Sequence, residues 1–204
     1  MEVLVYNCFN WIGFHYVNFL LHKGMVVKGV DKVDSDKKEN FYMFVGRNSS
    51  FELIDSLNNN ECNLAIVIGE HFPTDKQDFN RVVKICNEPQ GDDNNNSCVM
   101  VNAPLLFGEW MDMSEEGILW KNRMISFSSQ EFLVNAVYIE DFIKATYPLL
   151  DGTLTSEQIM VYSKKKTQGE AQKLENSISI RDNIPIEQNV RKVLEHYQRY
   201  KDLY

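Results

Sequence analysis

Cysteine, glycine and proline are all scarce in this chain, and it has neither a long basic run nor a long apolar one. The 204 residues include four cysteines, ten glycines and five prolines. Cys8, Cys62, Cys86 and Cys98 are widely spaced, with no Cys-x-x-Cys pair and no histidine at ligand spacing. That pattern excludes a disulfide framework and a zinc site, so no metal is expected. Cys8 and Cys98 adjoin apolar runs and read as small buried side chains, and the expected setting is the reducing cytoplasm. Basic residues cluster only at Lys164-Lys165-Lys166, and the balance of 21 basic to 29 acidic residues gives a net charge of −8. Such a balance does not suit a nucleic-acid partner. The opening apolar run is too short for a signal peptide or a membrane span, so no membrane partner is expected. What remains, with 44% hydrophobic and 25% charged residues, is an ordinary globular composition long enough for one well-buried domain.

The most informative stretch is the first, MEVLVYNCFNWIG. Val3, Leu4, Val5 and Tyr6 read as a short buried strand, followed by a turn at Asn7-Cys8-Phe9-Asn10-Trp11. Ile12-Gly13 then opens a helix whose Tyr16, Val17, Leu20 and Leu21 recur at helical spacing. This is the layout of a dinucleotide-binding loop, in which three glycines serve a tight turn, close approach of a pyrophosphate, and helix–strand packing. Asn7, Asn10 and Gly13 hold those positions. Asn tolerates a positive φ, so the turn can survive, but its side chain crowds the space of the phosphate oxygens. Gly24 ends the helix, and MVVKGVD forms a second strand ending at Asp31, where such a fold holds the adenosine ribose. Asp31 equally suits the end of a strand and the start of a turn.

Further along, DKVDSDKKEN is expected to be a loop, FYMFVG a short strand, and SSFELIDSLNNN a helix capped by Ser49 or Ser50. NLAIVIGE, at 63–70, reads as a strand buried on both faces, and FNRVVKICNE, at 79–88, as a helix. PQGDDNNNS is a low-complexity loop, and CVMVNAPLLFGE, at 98–109, is a second buried strand running into a turn. Residues 110–136 are irregular but apolar enough to pack. AVYIEDFIKATYPLL is a strand passing into a helix. IPIEQNVRKVLEHYQRYKDLY is a closing helix with Val190, Val193, Leu194, Tyr197 and Tyr200 on one face. The alternation predicts an α/β fold: a Rossmann-like, doubly wound parallel sheet with helices on both faces and a small C-terminal appendage. Residues 1–109 would form the dinucleotide-type core, with 110–204 packed on the same domain.

In this order the segments resemble the extended short-chain dehydrogenase/reductase family, which includes the NAD(P)-dependent nucleotide-sugar epimerases and dehydratases. MEVLVYNCFNWIGFHYVNFLLHKGMVVKGVD is similar to that family's opening strand, Thr-Gly-x-x-Gly-x-Ile-Gly turn, helix, strand and Asp. Tyr6 replaces the Thr, Asn7 and Asn10 replace glycines, and Ile12, Gly13 and His15 match. VMVNAPLLFGE resembles Arg-x-x-x-Val-Tyr-Gly-Pro, with Asn102 for the Arg, Phe107 for the Tyr and Glu109 for the Pro; Gly108 is kept. NAVYIEDFIKA resembles Val-Tyr-Val-x-Asp-Val, with Asp141 as the acid. PIEQNVRKVLEHYQRY resembles the closing helix, with Asn189 for a glycine and Tyr197 for a Trp.

The resemblance implies NAD or NADP as cofactor, a nucleotide or nucleotide-sugar ligand, and an oligomer, formed with itself or with an active relative. The crevice at the C-terminal ends of the strands, where open α/β sheets place a ligand, nominates cofactor contacts at Asn7, Asn10, Trp11, Ile12, Gly13, Asp31, Lys32, Gly69 and Glu70. Substrate contacts would fall at His71, Asn102, Pro104 and Leu105. Family members are about half as long again, and they place a Tyr-x-x-x-Lys helix between the strands that here end near Gly69 and begin at Cys98. No tyrosine occurs in that interval. The chemistry needs a Tyr whose pKa a nearby Lys lowers from about 10, so no catalytic residue is assigned. Tyr162 and Lys166 share the spacing by coincidence. Two readings stay open: a non-catalytic binding or interaction module, and an NAD(P)-dependent epimerase, dehydratase or reductase with atypical residues.

Overall fold

In the computed structural model, which describes residues 1–54, 62–69, 79–87, 98–152, 158–165, 176–182 and 184–204, strands and helices alternate from the start. The first half holds β1 (Glu2–Tyr6), α1 (Trp11–His22), β2 (Val26–Val30), α2 (Asp36–Val45) and β3 (Phe51–Leu53). β4 (Leu64–Ile68), β5 (Arg81–Cys86), β6 (Cys98–Asn102) and β7 (Leu105–Phe107) follow. Then come β8 (Gly117–Trp120), β9 (Arg123–Ser126), α3 (Gln130–Asn135), β10 (Ala136–Tyr138) and α4 (Ile139–Thr146). β11 (Gln158–Ser163), β12 (Ser177–Ile180) and α5 (Ile186–Arg199) complete the order.

Eight of these strands form one sheet in the order β12-β11-β6-β5-β4-β1-β2-β3, and every pairing in it is parallel. From β1 the chain steps outward to β3, then returns to the other side of β1 as β4. The order therefore reverses between β1 and β4, the crevice where open α/β sheets bind ligands. This is the expected Rossmann-like parallel fold. Residues beyond 110 add β11 and β12 to the same sheet.

Strand burial explains the apolar runs. Val3, Val5, Ile66, Ile68, Val83 and Ile85 join the larger core cluster, which also takes in Tyr16, Val17 and Leu20 of α1 and Phe41 and Val45 of α2. The alternate residues Leu4, Ala65, Val67 and Val82 form a second cluster on the opposite face. A strand covered on both sides has no need of polar alternation. Tyr16 ties α1 to α4 through a 2.6 Å bond to the Thr146 hydroxyl, which itself donates to the Phe142 carbonyl.

Several local expectations are corrected. Residues 36–45 form α2, replacing the expected loop and FYMFVG strand. The Ser35 side chain caps this helix by accepting from the Lys38 N–H, Asp36 and Glu39 sit in its first turn, and Phe41 and Val45 bury one face. Phe51–Leu53, expected as helix, is edge strand β3, pairing with Val27 to Gly29. Arg81–Cys86, also expected as helix, is the central strand β5, paired on both sides. The region expected to be irregular contains the β8–β9 hairpin and α3. The tip of that hairpin has positive φ at both Lys121 (49°) and Asn122 (59°), the twist that a two-residue hairpin loop requires. Of the closing-helix face, Val193 is buried, with Ile186 and Asn189 beside it.

Candidate functional site

The β1–α1 turn retains its shape. Asn7 takes a positive φ of 56°, and its N–H donates to the Val30 carbonyl. Its own carbonyl accepts from the Asn10 N–H at 3.0 Å. Gly13 remains a geometric necessity, since a Cβ there would lie 2.3 Å from the Asn7 carbonyl oxygen. Asn10 caps α1 by accepting from the Ile12 N–H at 3.0 Å, so its amide sits on the first turn of the helix. A cofactor's phosphate would otherwise find those donors.

Asn7 reaches further. Its Nδ2 donates to the Ile68 carbonyl at 2.6 Å, from the end of β1 to the end of β4, across the reversal point of the sheet. Gly69, with φ of +96°, follows at once, and a Cβ there would meet the Asn7 amide at 3.7 Å. Asp31 is similarly committed. Its side chain is 5% exposed; Oδ2 accepts from the Phe9 N–H at 2.8 Å, while Oδ1 accepts from the Lys32 N–H and the Lys38 ammonium. Phe9, buried, packs against Tyr42 and Phe51 in the core. Cys8 is also fully buried, and burial pushes its thiol far above its usual range. The loop thus points two of its side chains inward.

The other expected positions scatter. Trp11 and Ile12 open α1 and line a cavity of about 140 Å³, together with Asn87 at the end of β5, Leu106, Asp112 and the tip of the β8–β9 hairpin. Asn102 ends β6, and Leu105 is buried in β7, paired with Ala136 of β10. Pro104 lies between them, half-buried. Glu70, His71 and Lys166 lie outside the described residues. Among those described, no three His, Cys, Asp or Glu side chains gather at metal-binding distance, and no helix is long and apolar enough to cross a membrane.

No family model and no curated protein matches the chain. Solved structures do. The UDP-glucuronic acid 4-epimerase of Bacillus cereus, in complex with NAD, aligns over 98% of both chains at 13% identity and a TM-score of 0.58. The dTDP-glucose 4,6-dehydratase of Bacillus anthracis, also in complex with NAD, aligns over 100% of this chain and 98% of its own at 7% identity and 0.63. A yeast methylglyoxal/isovaleraldehyde reductase complexed with NADPH aligns over 100% of both at 11% identity and 0.59. The fold is that of the extended short-chain dehydrogenases/reductases.

On this extended short-chain dehydrogenase/reductase fold, the structure assembles a tyrosine–lysine contact that the sequence did not advertise. Lys192 of α5 donates to the Tyr138 hydroxyl at 2.7 Å, and Tyr138 in turn donates to the Glu109 carboxylate at 2.9 Å. Lys192 also pairs with Glu109 at 3.2 Å and with Glu140 at 3.0 Å. Burial, then Glu109 and Glu140, drive the Tyr138 phenol far above its ordinary value, the opposite of what a proton-transferring tyrosine needs. Burial opposes the Lys192 charge, but the two carboxylates more than offset it and hold the ammonium above its usual value. The sequence signals for this cluster were Glu109, standing where the resemblance places a proline, and Tyr138, matching the Tyr of Val-Tyr-Val-x-Asp-Val.

Beside it, His15 Nε2 donates to the Glu109 carbonyl at 2.9 Å. His196 Nδ1 lies 2.7 Å from the Tyr204 hydroxyl, which also accepts from the Trp110 N–H. Burial, ahead of every other influence, lowers both imidazoles below the ordinary 6.5. A histidine held neutral contributes stability that is complete above its unfolded pKa and is lost as pH falls through that value toward the folded one. We therefore expect the melting temperature to drop between about pH 7 and pH 5, above the range where carboxylates titrate. His15→Gln should flatten that slope in a calorimetric pH series; an unchanged slope would remove His15 from the explanation.

Proposed function

We propose that the chain is a non-catalytic protein on a dehydrogenase/epimerase fold, whose cofactor crevice is filled by its own side chains and which works through protein contacts. The observation that carries this reading is the Asn7 amide bonded to the Ile68 carbonyl across the sheet reversal. Asp31, saturated by three donors, supports it. The cavity beside α1, about 140 Å³, also falls below the roughly 300–1,000 Å³ of ordinary ligand sites. As arranged, these residues do not fit a dinucleotide. Tyr42, Met43 and Phe44 on α2 are 41%, 63% and 53% exposed, an apolar surface suited to a second copy or an active relative. Four free cysteines, three of them buried, agree with a cytoplasmic setting.

The competing reading, an NAD(P)-dependent epimerase, dehydratase or reductase acting on a nucleotide-sugar, has the Tyr138–Lys192 contact in its favour. The two carboxylates on that tyrosine weigh against it. Titration with NAD, NADH, NADP and NADPH, followed by calorimetry or reduced-cofactor fluorescence, separates the two. We expect no saturable binding up to millimolar concentration. Micromolar binding, about −8 kcal/mol, would overturn the non-catalytic reading and call for a nucleotide-sugar substrate screen.

A further inference from the structure

The cavity at the start of α1 has a defined size and walls from four parts of the chain. Trp11 and Ile12 come from the first turn of α1, Asn87 follows β5, and Leu106 and Met111 come from β7 and the turn after it. Ile118, Leu119, Trp120 and Lys121 of the β8–β9 hairpin close the remaining side. Its volume of about 140 Å³ is close to the roughly 150 Å³ that holds a benzene molecule in a protein interior. Two indoles and five aliphatic or thioether side chains contribute to these walls, beside polar groups.

Asn87 and Asp112 bring an amide and a carboxylate to the lining, with Asp112 70% exposed and paired with Lys37 at 2.8 Å. The Lys121 ammonium lies over the Trp120 ring, 4.7 Å from its centroid. The charges near the mouth are thus engaged within the protein, and a charged ligand would find no uncompensated partner among them. A hydroxyl would find two acceptors, the Asn87 and Asp112 side-chain oxygens.

We infer that this cavity is a binding site for a single neutral aromatic ring bearing a hydroxyl, the ring against Trp11 and Trp120 and the hydroxyl toward Asn87 and Asp112. The inference rests on the reading that the crevice holds no dinucleotide. It assigns that crevice a ligand of a different class, one ring in size.

The three tryptophans supply the test, because Trp11 and Trp120 line the cavity and Trp110 does not. Phenol is titrated into the full-length protein while the indole N–H resonances are followed by NMR. Saturable shifts of Trp11 and Trp120, with Trp110 still and a Kd on the order of 1 mM for so few atoms, are the expected result. Trp120→Ala should weaken binding at least tenfold, read at Trp11. Asn87→Ala, at an exposed position, should weaken it several-fold with the melting temperature unchanged. Met124→Ala, opposite Leu119 on the hairpin but outside the cavity, should leave it intact. Unsaturable shifts, shifts shared by Trp110, or Asn87→Ala and Trp120→Ala variants that bind phenol as well as the parent would each overturn the ring site. NAD is titrated separately. Micromolar NAD binding that expels phenol would overturn both the non-catalytic reading and the ring site, whereas micromolar NAD binding that leaves phenol bound would overturn the non-catalytic reading alone. Absence of both ligands would overturn the ring site and leave the closed crevice standing.

Discussion

Gly13→Ala is expected to cost about 3 kcal/mol or more, at the upper end of what overpacking usually costs. In a domain of this size that lowers the melting temperature by roughly 6–12 °C. The Cβ would lie 2.3 Å from the Asn7 carbonyl oxygen and 3.1 Å from the Cys8 Cα, both backbone atoms. Neither can swing aside as a flexible side chain would. The turn itself is pinned, since Asn7 and Asn10 are held by backbone bonds to Val30 and to each other. A thermal melt settles the matter, and a variant within 2 °C of the parent would mean that α1 can shift away from β1. Gly24→Ala is the useful contrast. Unlike Gly13 it has a positive φ, but nothing lies within 4 Å of its Cβ, so only backbone strain of about 1 kcal/mol remains.

The second large effect concerns affinity. Replacing both Asn7 and Asn10 by glycine removes the amide that spans β1 and β4 and the cap that sits on the first turn of α1. Glycine tolerates the positive φ at position 7 without strain. If these side chains close the crevice, the double variant should bind NAD(P) at least tenfold more tightly than the parent, about 1.4 kcal/mol, the scale of one or two hydrogen bonds. Calorimetry reads this directly. Equal affinity in parent and variant would move the obstruction elsewhere, with Asp31 and its three donors the next place to look. Loss of the Asn10 cap should cost stability only slightly, because glycine is itself an acceptable cap residue.

The sequence revealed the parts of the fold whose local pattern and tertiary role agree. β1, α1, β2 and the run at Leu64–Ile68 combine apolar continuity with turn residues that admit one interpretation. α2 was misread because Phe41, Tyr42, Phe44 and Val45 favour strands by composition, while the cap that makes them helical, Ser35, lies in a stretch crowded with other turn formers. β5 was misread because Arg81 and Lys84 interrupt its apolar residues at a helical interval. Its position between β4 and β6 overrides that periodicity.

The site was half legible. The loss of two loop glycines was visible at once, and it correctly drew attention to Asn7 and Asn10. That the Asn7 amide would turn to the Ile68 carbonyl was not visible, because a contact between residues 61 positions apart depends on the sheet order. The same holds for Tyr138 and Lys192, which meet only because α5 packs beside the end of β10.

The all-parallel sheet also bears on how the chain comes together in time. No neighbouring strands in it are joined by a tight hairpin, so each pairing waits on the closure of an intervening loop or crossover. After the return of β4 to β1, the longest wait is at β6, which ends at Asn102 and meets its next partner, β11, only at Gln158. Until β11 arrives, the β6 edge presents unpaired backbone groups flanked by Val99, Met100 and Val101. During synthesis that strand leaves the ribosome well before its partner, and in this interval its open edge is exposed to wrong pairing.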